Sequence, residues 1–425
     1  MIPNRQPRLG HSGGRCFCKL ERPRRLFLTY SVLQGLRVVE LGESASAPYC
    51  AKLLADMGAE VVKIERPGVG DQAREYGPFL KDQPHHERSG LFLYLNTNKQ
   101  GVTLDLETPT GTEILGGLLA QSQVFVHNLH PTEMDRLGLG YDSLKAHNDQ
   151  LVMASITPFG LTGPYRNYKA YDINLAAAGG ICEGLGSPDR EPLTFGTPEV
   201  GYFAAMAAAS SIVIALLAGG GQHIDIAEVE AMSGIYNGPE ALMAVYEWRM
   251  TRRTGHHALD FPYPNCILRC KDGYIFVGSP EGRQWRTLLE VMGNPEWAKE
   301  DRFRNRTTMN NEYADEVDGY MEEWLLQRTK AELLALALEH RLPLAPVRDF
   351  GEVRNDESLA DLFAAIDRPD TGPIAFAGPP YVLSGQEVRP PQPAPLLGQH
   401  NADIYCDWLG YTKEELVKLY QTGII

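Results

Sequence analysis

Apolar and polar positions along the first 160 residues alternate between two periods. Leu36-Arg37-Val38-Val39-Glu40-Leu41 reads as a buried strand, and Gly42 to Ser46 as a small-residue turn. Pro48 to Met57 carries Tyr49, Leu53, Leu54 and Met57 on one helical face, and Gly58 ends that helix. Glu60 to Glu65 is a second strand. Strand, helix and strand packed so closely form a βαβ unit, so the sheet begins parallel. The pattern predicts further strands over Gly101–Leu106, Val124–His127 and Leu151–Ile156, with a helix over Pro109–Gln121. Gly179–Ala218, rich in Ala and Gly, suits closely packed helices. Gln222–Ala227 reads as a strand entering a new region, and Tyr274–Val277 as a strand behind the Lys271-Asp272-Gly273 turn. Up to about Leu338 the chain is then charged and mostly helical. Pro379–Pro395 is a proline-rich extended connector. A terminal helix follows over Tyr411–Tyr420, with Thr412 as N-cap and Glu414 and Glu415 in its first turn.

Length and charge narrow the picture. A chain of 425 residues exceeds one compact core, so two domains are expected. A net charge of −14 argues against generic nucleic-acid binding, since a polyanion would be repelled. Seven scattered cysteines fit a reducing cytoplasm better than a disulfide framework. No apolar run approaches the roughly 18 residues of a membrane span, so no membrane partner is expected. Residues 1–30 form a basic arm, with Arg5, Arg8, Arg15, Lys19, Arg22, Arg24 and Arg25 against Glu21 alone. Its apolar stretch is too short and interrupted for a cleaved signal, and disorder is expected there. His11, Cys16 and Cys18 are too few in a loose arm to make a metal motif.

The opening βαβ unit invites a dinucleotide reading, and Glu65 even ends the second strand where a ribose-binding acid would stand. The turn Gly42-Glu43-Ser44-Ala45-Ser46-Ala47 holds one glycine where that fingerprint needs three, so a dehydrogenase is disfavoured.

At the level of motifs the chain resembles the family III CoA-transferases, the group of formyl-CoA transferase, carnitine CoA-transferase and the 2-methylacyl-CoA racemases. The resemblance rests on Leu33–Leu41, Ala47-Pro48 and Leu54–Glu65, then Asn96–Lys99 with Leu104–Leu106. It continues through Asn128, Pro131, Arg136–Gly140, Ser155, Phe159–Tyr165 and Tyr171–Asn174. Ala345–Val347 and Ala394–His400 carry it to the end. The resemblance implies an α/β fold: a Rossmann-like large domain, a smaller α+β domain, and two subunits interlocked as rings. On this chain the large domain would begin over 31–222, the small domain would span 223–330, and 331–425 would be a connector returning to the large domain.

The same resemblance implies coenzyme A and acyl-CoA as ligands, a carboxylic acid as second substrate, and no metal. By position, Arg66 matches an adenine-stacking arginine, and Leu104, Asn128, Arg136, Leu137, Lys169, Tyr171 and Asp172 fall on other binding positions. His130 stands where the family has arginine, and Ala45 and Ala47 where it has glutamine or glycine.

The family's nucleophile is an aspartate that follows a glycine at a helix start. Matching Gly196 and Gly201 puts Thr197 at that position. Glu199 is the nearest carboxylate. It reads either as a replacement nucleophile or as an ordinary acid at a helix N-terminus after Pro198. The racemase branch would need a histidine where this chain has Tyr171. Three functions follow: a subunit lacking the nucleophile beside an aspartate-bearing paralogue, an active homodimer using Glu199, or a CoA-binding protein without transfer chemistry.

Overall fold

The protein is seen in a computed structural model that describes residues 29–236, 245–246, 253–258, 261–279, 281–384 and 388–425. The basic arm up to residue 28, with His11, Cys16 and Cys18, lies outside the described residues. Immediately after it, β1 (Thr29–Tyr30) pairs antiparallel with Val388–Arg389.

The predicted parallel sheet is present, with β2 (Arg37–Leu41), β3 (Glu60–Glu65), β4 (Lys99–Thr103), β5 (Val124–His127), β6 (Val152–Thr157) and β7 (His223–Ala227). Their spatial order is β4-β3-β2-β5-β6-β7, and every neighbouring pair is parallel. This is the doubly wound order whose crevice opens between the first and fourth strands, here β2 and β5. Successive strand residues face opposite sides. Val39, Val62 and Phe125 join one core with Ile114, Leu118, Tyr405 and Trp408. Val38, Val61 and Val124 join the other with Leu54, Ala204, Ala208 and Ile212. The second core is alanine-rich, and the small side chains let the helices Ser46–Asp56 and Glu199–Leu217 lie close to each other and to the sheet. The terminal helix begins at Lys413 under a Thr412–Glu415 capping box, and its Leu416 and Leu419 pack in the first core.

Two boundaries differ from the sequence reading. His223–Ala227 is the outer strand of the parallel sheet, in register Met153↔His223 through Thr157↔Ala227. Its alternating exposure is that of an edge strand, so the large lobe extends past 222. The following helix, Glu228–Tyr236, packs on Glu199–Leu217. The small sheet, β8 (Asn265–Cys270), β9 (Gly273–Gly278) and β10 (Leu344–Val347), is antiparallel with β9 central. It therefore takes in residues beyond 330. The β4 strand also starts two residues before Gly101 and stops at Thr103, after which Leu104 and Asp105 line a cavity.

The helix Glu199–Leu217 corrects a further expectation. Its 19 residues are long and apolar enough, by length and composition alone, to cross a bilayer. Here its inner stripe is core, while Ile214 and Leu217 are 66% and 84% exposed.

A buried histidine yields a prediction. His127 Nε2 lies 2.6 Å from Ser155 Oγ, which lies 2.9 Å from His223 Nε2. Burial, and then nearby His223, hold the His127 pKa down to about 3. An unfolded histidine titrates near 6.5, so between these values the folded chain binds fewer protons than the unfolded one. The stability due to neutral His127 is full above about pH 6.5 and is lost as pH falls towards 3. Urea unfolding at pH 5 should therefore show up to about 2 kcal/mol less stability from this group than at pH 7.5. His127→Gln should flatten the slope between those pH values, and an unchanged slope would assign the loss elsewhere.

Candidate active site

The turn after β2 sits at the crevice and is held from three sides. Gly42 is required by close approach, since a Cβ there would lie 2.5 Å from that of Ala47. Asn128, the first residue after β5, clamps the turn: its Oδ1 accepts from Glu43 N–H at 2.9 Å, and its Nδ2 donates to Glu43 O at 2.7 Å and Ser46 Oγ at 3.1 Å. Ser44, held at φ +63°, donates its N–H to Asp71 Oδ1 at 2.9 Å. Asp71 Oδ2 is 2.8 Å from Lys63 Nζ, which also reaches Glu40 Oε1 and Gly42 O at 2.8 Å. Lys99 Nζ takes the other Glu40 oxygen at 2.7 Å. Burial alone would pull Lys63 down, but Asp71, Glu40 and Glu65 hold its pKa above the ordinary lysine value.

Two adjoining cavities open at this turn. One, of about 320 Å³, takes in Arg66, Leu104 and Leu137. The other, of about 510 Å³, takes in Arg66, Asn128, Lys169, Tyr171 and Asp172. Arg66, Glu43, Leu129 and Glu133 belong to both, so the two form one crevice past the carboxyl ends of the strands. The sequence-matched residues thus converge, with one exception. Arg136 is on neither wall. Its guanidinium is on Glu107, 2.6 Å from Nη1, and on Glu133. A phosphate would have to take Arg136 from those two carboxylates.

At the far end of the larger cavity is the start of the helix Glu199–Leu217. The Thr197 hydroxyl donates to Glu199 Oε1, and Glu199 Oε2 is shielded without a hydrogen-bond partner among the described residues. Pro198 and Gly201 line the cavity; Thr197 and Glu199 do not. The N-terminal N–H groups are met from outside the helix, with Gly201 N–H donating to Asp172 Oδ1 at 3.2 Å. Burial raises the Asp172 pKa, Glu199 adds to the rise, and the Gly201 and Val200 N–H groups oppose it.

Sequence reading missed Glu228. It opens the helix after β7, lines the larger cavity, and accepts from the Ser46 hydroxyl. Burial, with Asp172 nearby, pushes its carboxyl up to about 7.

In the small lobe, potential ligand atoms of His256, His257 and Asp318 lie within 4.8 Å of one another. Both imidazole Nε2 atoms reach Asp318 Oδ2, at 2.9 and 2.8 Å, and the Tyr263 hydroxyl donates to Oδ1 at 2.8 Å. These bonds fasten the segment 253–258 to the helix Ala314–Leu325.

The profile of CoA-transferase family III matches residues 33–401. The chain is 33% identical over 409 residues to succinyl-CoA–D-citramalate CoA-transferase of Chloroflexus aurantiacus, covering 92% of this chain and 98% of that protein. It is 32% identical over 394 residues to succinyl-CoA:mesaconate CoA-transferase of Haloarcula hispanica, covering 88% and 95%. Among solved structures it is similar to a CAIB/BAIF family protein from Brucella suis, with a TM-score of 0.80, 29% identity, and coverage of 89% of this chain and 100% of that one.

Proposed function

Because the chain belongs to CoA-transferase family III, we propose that it moves CoA from an acyl-CoA thioester to a carboxylic acid in the crevice at β2 and β5, as the subunit that lacks the nucleophilic carboxylate. Transfer without hydrolysis needs a carboxylate to attack the thioester carbonyl and expel the CoA thiolate, leaving a mixed anhydride. The thiolate then attacks the anhydride, releases the acyl group as a free acid and leaves CoA on the enzyme carboxyl. The second acid takes the CoA in the same two steps reversed. A threonine ester at Thr197 would be too stable to return its acyl group. The observation that carries the subunit reading is the turn itself: Thr197 offers only a hydroxyl, already engaged with Glu199.

In this reading an aspartate-bearing paralogue completes the enzyme. The outer face of the helix Glu199–Leu217, with Met206, Ile214 and Leu217, supports a partner surface, as do Tyr171 and Ile173 beside the cavity. Wrapping two such chains as interlocked rings would cover these side chains, and obligate interfaces are apolar in this way. Cys50, Cys182, Cys266, Cys270 and Cys406 are free thiols, which supports a reducing cytoplasm as its place. A second reading, an active homodimer using Glu199, draws on the shielded and unpartnered Oε2.

One experiment separates them. The purified chain is given succinyl-CoA with and without the paralogue, quenched with hydroxylamine, and mapped by mass spectrometry. The subunit reading expects turnover and a hydroxamate only when the paralogue is present, on the paralogue's aspartate. Turnover by the chain alone, with a hydroxamate on Glu199 and loss of both in Glu199→Gln, would replace it with the homodimer.

A further inference from the structure

Two carboxyls, Asp172 and Glu228, face the larger cavity, and their partners differ in kind. Asp172 accepts from backbone N–H groups at the start of the helix Glu199–Leu217, which favours its ionised form. Glu228 has the Ser46 hydroxyl. That hydroxyl already accepts from Asn128 Nδ2 at 3.1 Å, so its proton is free to point at one Glu228 oxygen. The residue as a whole is partly exposed while its carboxyl end is enclosed.

The surrounding charges favour one proton on this pair and place it on Glu228. Asp172 is the charge that bears on Glu228, and Glu199 bears on Asp172 in turn. Glu43, on the turn after β2, adds a further acid to the cavity wall. Asp225, on the strand that precedes Glu228, takes the Leu161 N–H. Lys169, Arg66, Glu133 and His130 line the same cavity, and no ion pair reaches Glu228 among the described residues. Two desolvated carboxyls sharing one space do not both ionise, and the one without N–H donors keeps the proton.

An ionised carboxylate at Glu228 would repel the carboxylate of an entering acid, yet the reaction requires an acid to enter. A protonated carboxyl reverses the sign of that contact, because it donates a hydrogen bond to the incoming anion. We propose that Glu228 takes up the carboxylate of the accepting acid, donating its own proton to it in a hydrogen bond beside Lys169. This rests on the reading that the crevice handles acyl-CoA and an acid, and it holds whichever chain supplies the nucleophile.

The test is titration of acetate, succinate and glutarate into the CoA-saturated chain at pH 6 and pH 8, corrected for their own ionisation. With the proton leaving near pH 7, affinity for the best of them should fall about tenfold over that range. Glu228→Gln keeps a donor that does not titrate, so it should bind at both pH values with the dependence gone. Wild-type affinity independent of pH, a Glu228→Gln variant that keeps the fall, or no carboxylate binding to a chain that holds CoA would each overturn the proposal. A chain that holds no CoA would instead fail the functional reading, and Glu228 is then judged by stability. Its folded pKa is raised, so its contribution is full below about pH 4.5 and is lost as pH rises to about 7. The melting temperature of Glu228→Gln relative to wild type should therefore climb between pH 5 and pH 8. A constant difference would overturn the proposal.

Discussion

Replacing Thr197 with aspartate is expected to raise CoA transfer by the isolated chain at least about a hundredfold, a small part of the roughly 10⁶-fold that removing a nucleophile costs in a hydrolase. Gly196-Thr197-Pro198 leads directly into a helix whose next residues, Pro198 and Gly201, are already on the cavity wall. A side chain at 197 is exposed and, among the described residues, bonded only to Glu199, so an aspartate of similar size fits without displacing core atoms. The new carboxylate would stand one residue before Pro198, where the positive end of the helix dipole favours its ionised form. The Asn128 clamp and the Lys63–Asp71 pair that shape the opposite wall are untouched by the change. Thr197→Asn supplies the control, with the same shape and no nucleophile, and should gain nothing. The readout is CoA ester formation by chromatography, with hydroxylamine adducts mapped to position 197. CoA binding at wild-type affinity with no gain would mean that the turn before Pro198 does not bring position 197 to the thioester.

The parallel sheet was legible because β2, β3, β5 and β6 each carry clustered Val, Ile, Leu, Phe or Met between turn residues, as strands buried on both faces do. His223–Ala227 was misread for the complementary reason. As an edge strand it alternates in exposure, and nothing in its own pattern distinguishes the last strand of one sheet from the first of another. That error hid Glu228. A carboxylate immediately after a parallel strand lies at the ligand-binding end of such a sheet, but only if the strand is known to belong to it. Matched motifs placed Arg66, Leu104, Asn128, Leu137, Lys169, Tyr171 and Asp172 around one crevice, because sequence-distant motifs meet at the strand ends. Arg136 did not follow. Whether a cation faces a cavity depends on the acids beside it, and Glu133 and Glu107 claim it through contacts that a position match does not register. Asn128 was legible as a cavity residue but not as a clamp, since its two hydrogen bonds to Glu43 exist only once β2 and β5 are neighbours.

Lys63→Met is expected to lower the unfolding free energy by about 3–5 kcal/mol, the cost of removing one partner from a buried ionic group. Lys63 is fully enclosed, as are the side chains of Glu40 and Asp71 on either side of it. Without the ammonium, Glu40 keeps Lys99 at 2.7 Å, but Asp71 Oδ2 loses its cation in a space that water does not reach. Lys99 cannot compensate for both acids. Burial already pulls it down to about 8, and it is spent on Glu40, Pro48 O and Asn96 Oδ1. The damage should extend to the site, since Asp71 holds the Ser44 N–H and Lys63 holds Gly42 O, the middle and the start of the turn that walls both cavities. CoA affinity should fall together with stability, each measured at pH 7.5, by calorimetry and by urea unfolding. The double variant Lys63→Met/Asp71→Asn identifies the cause. Neutralising Asp71 removes the stranded charge while keeping an oxygen for the Ser44 N–H, so it should restore a large part of the stability that the single variant lost. A double variant no more stable than the single one would place the cost in lost packing around the lysine stem instead.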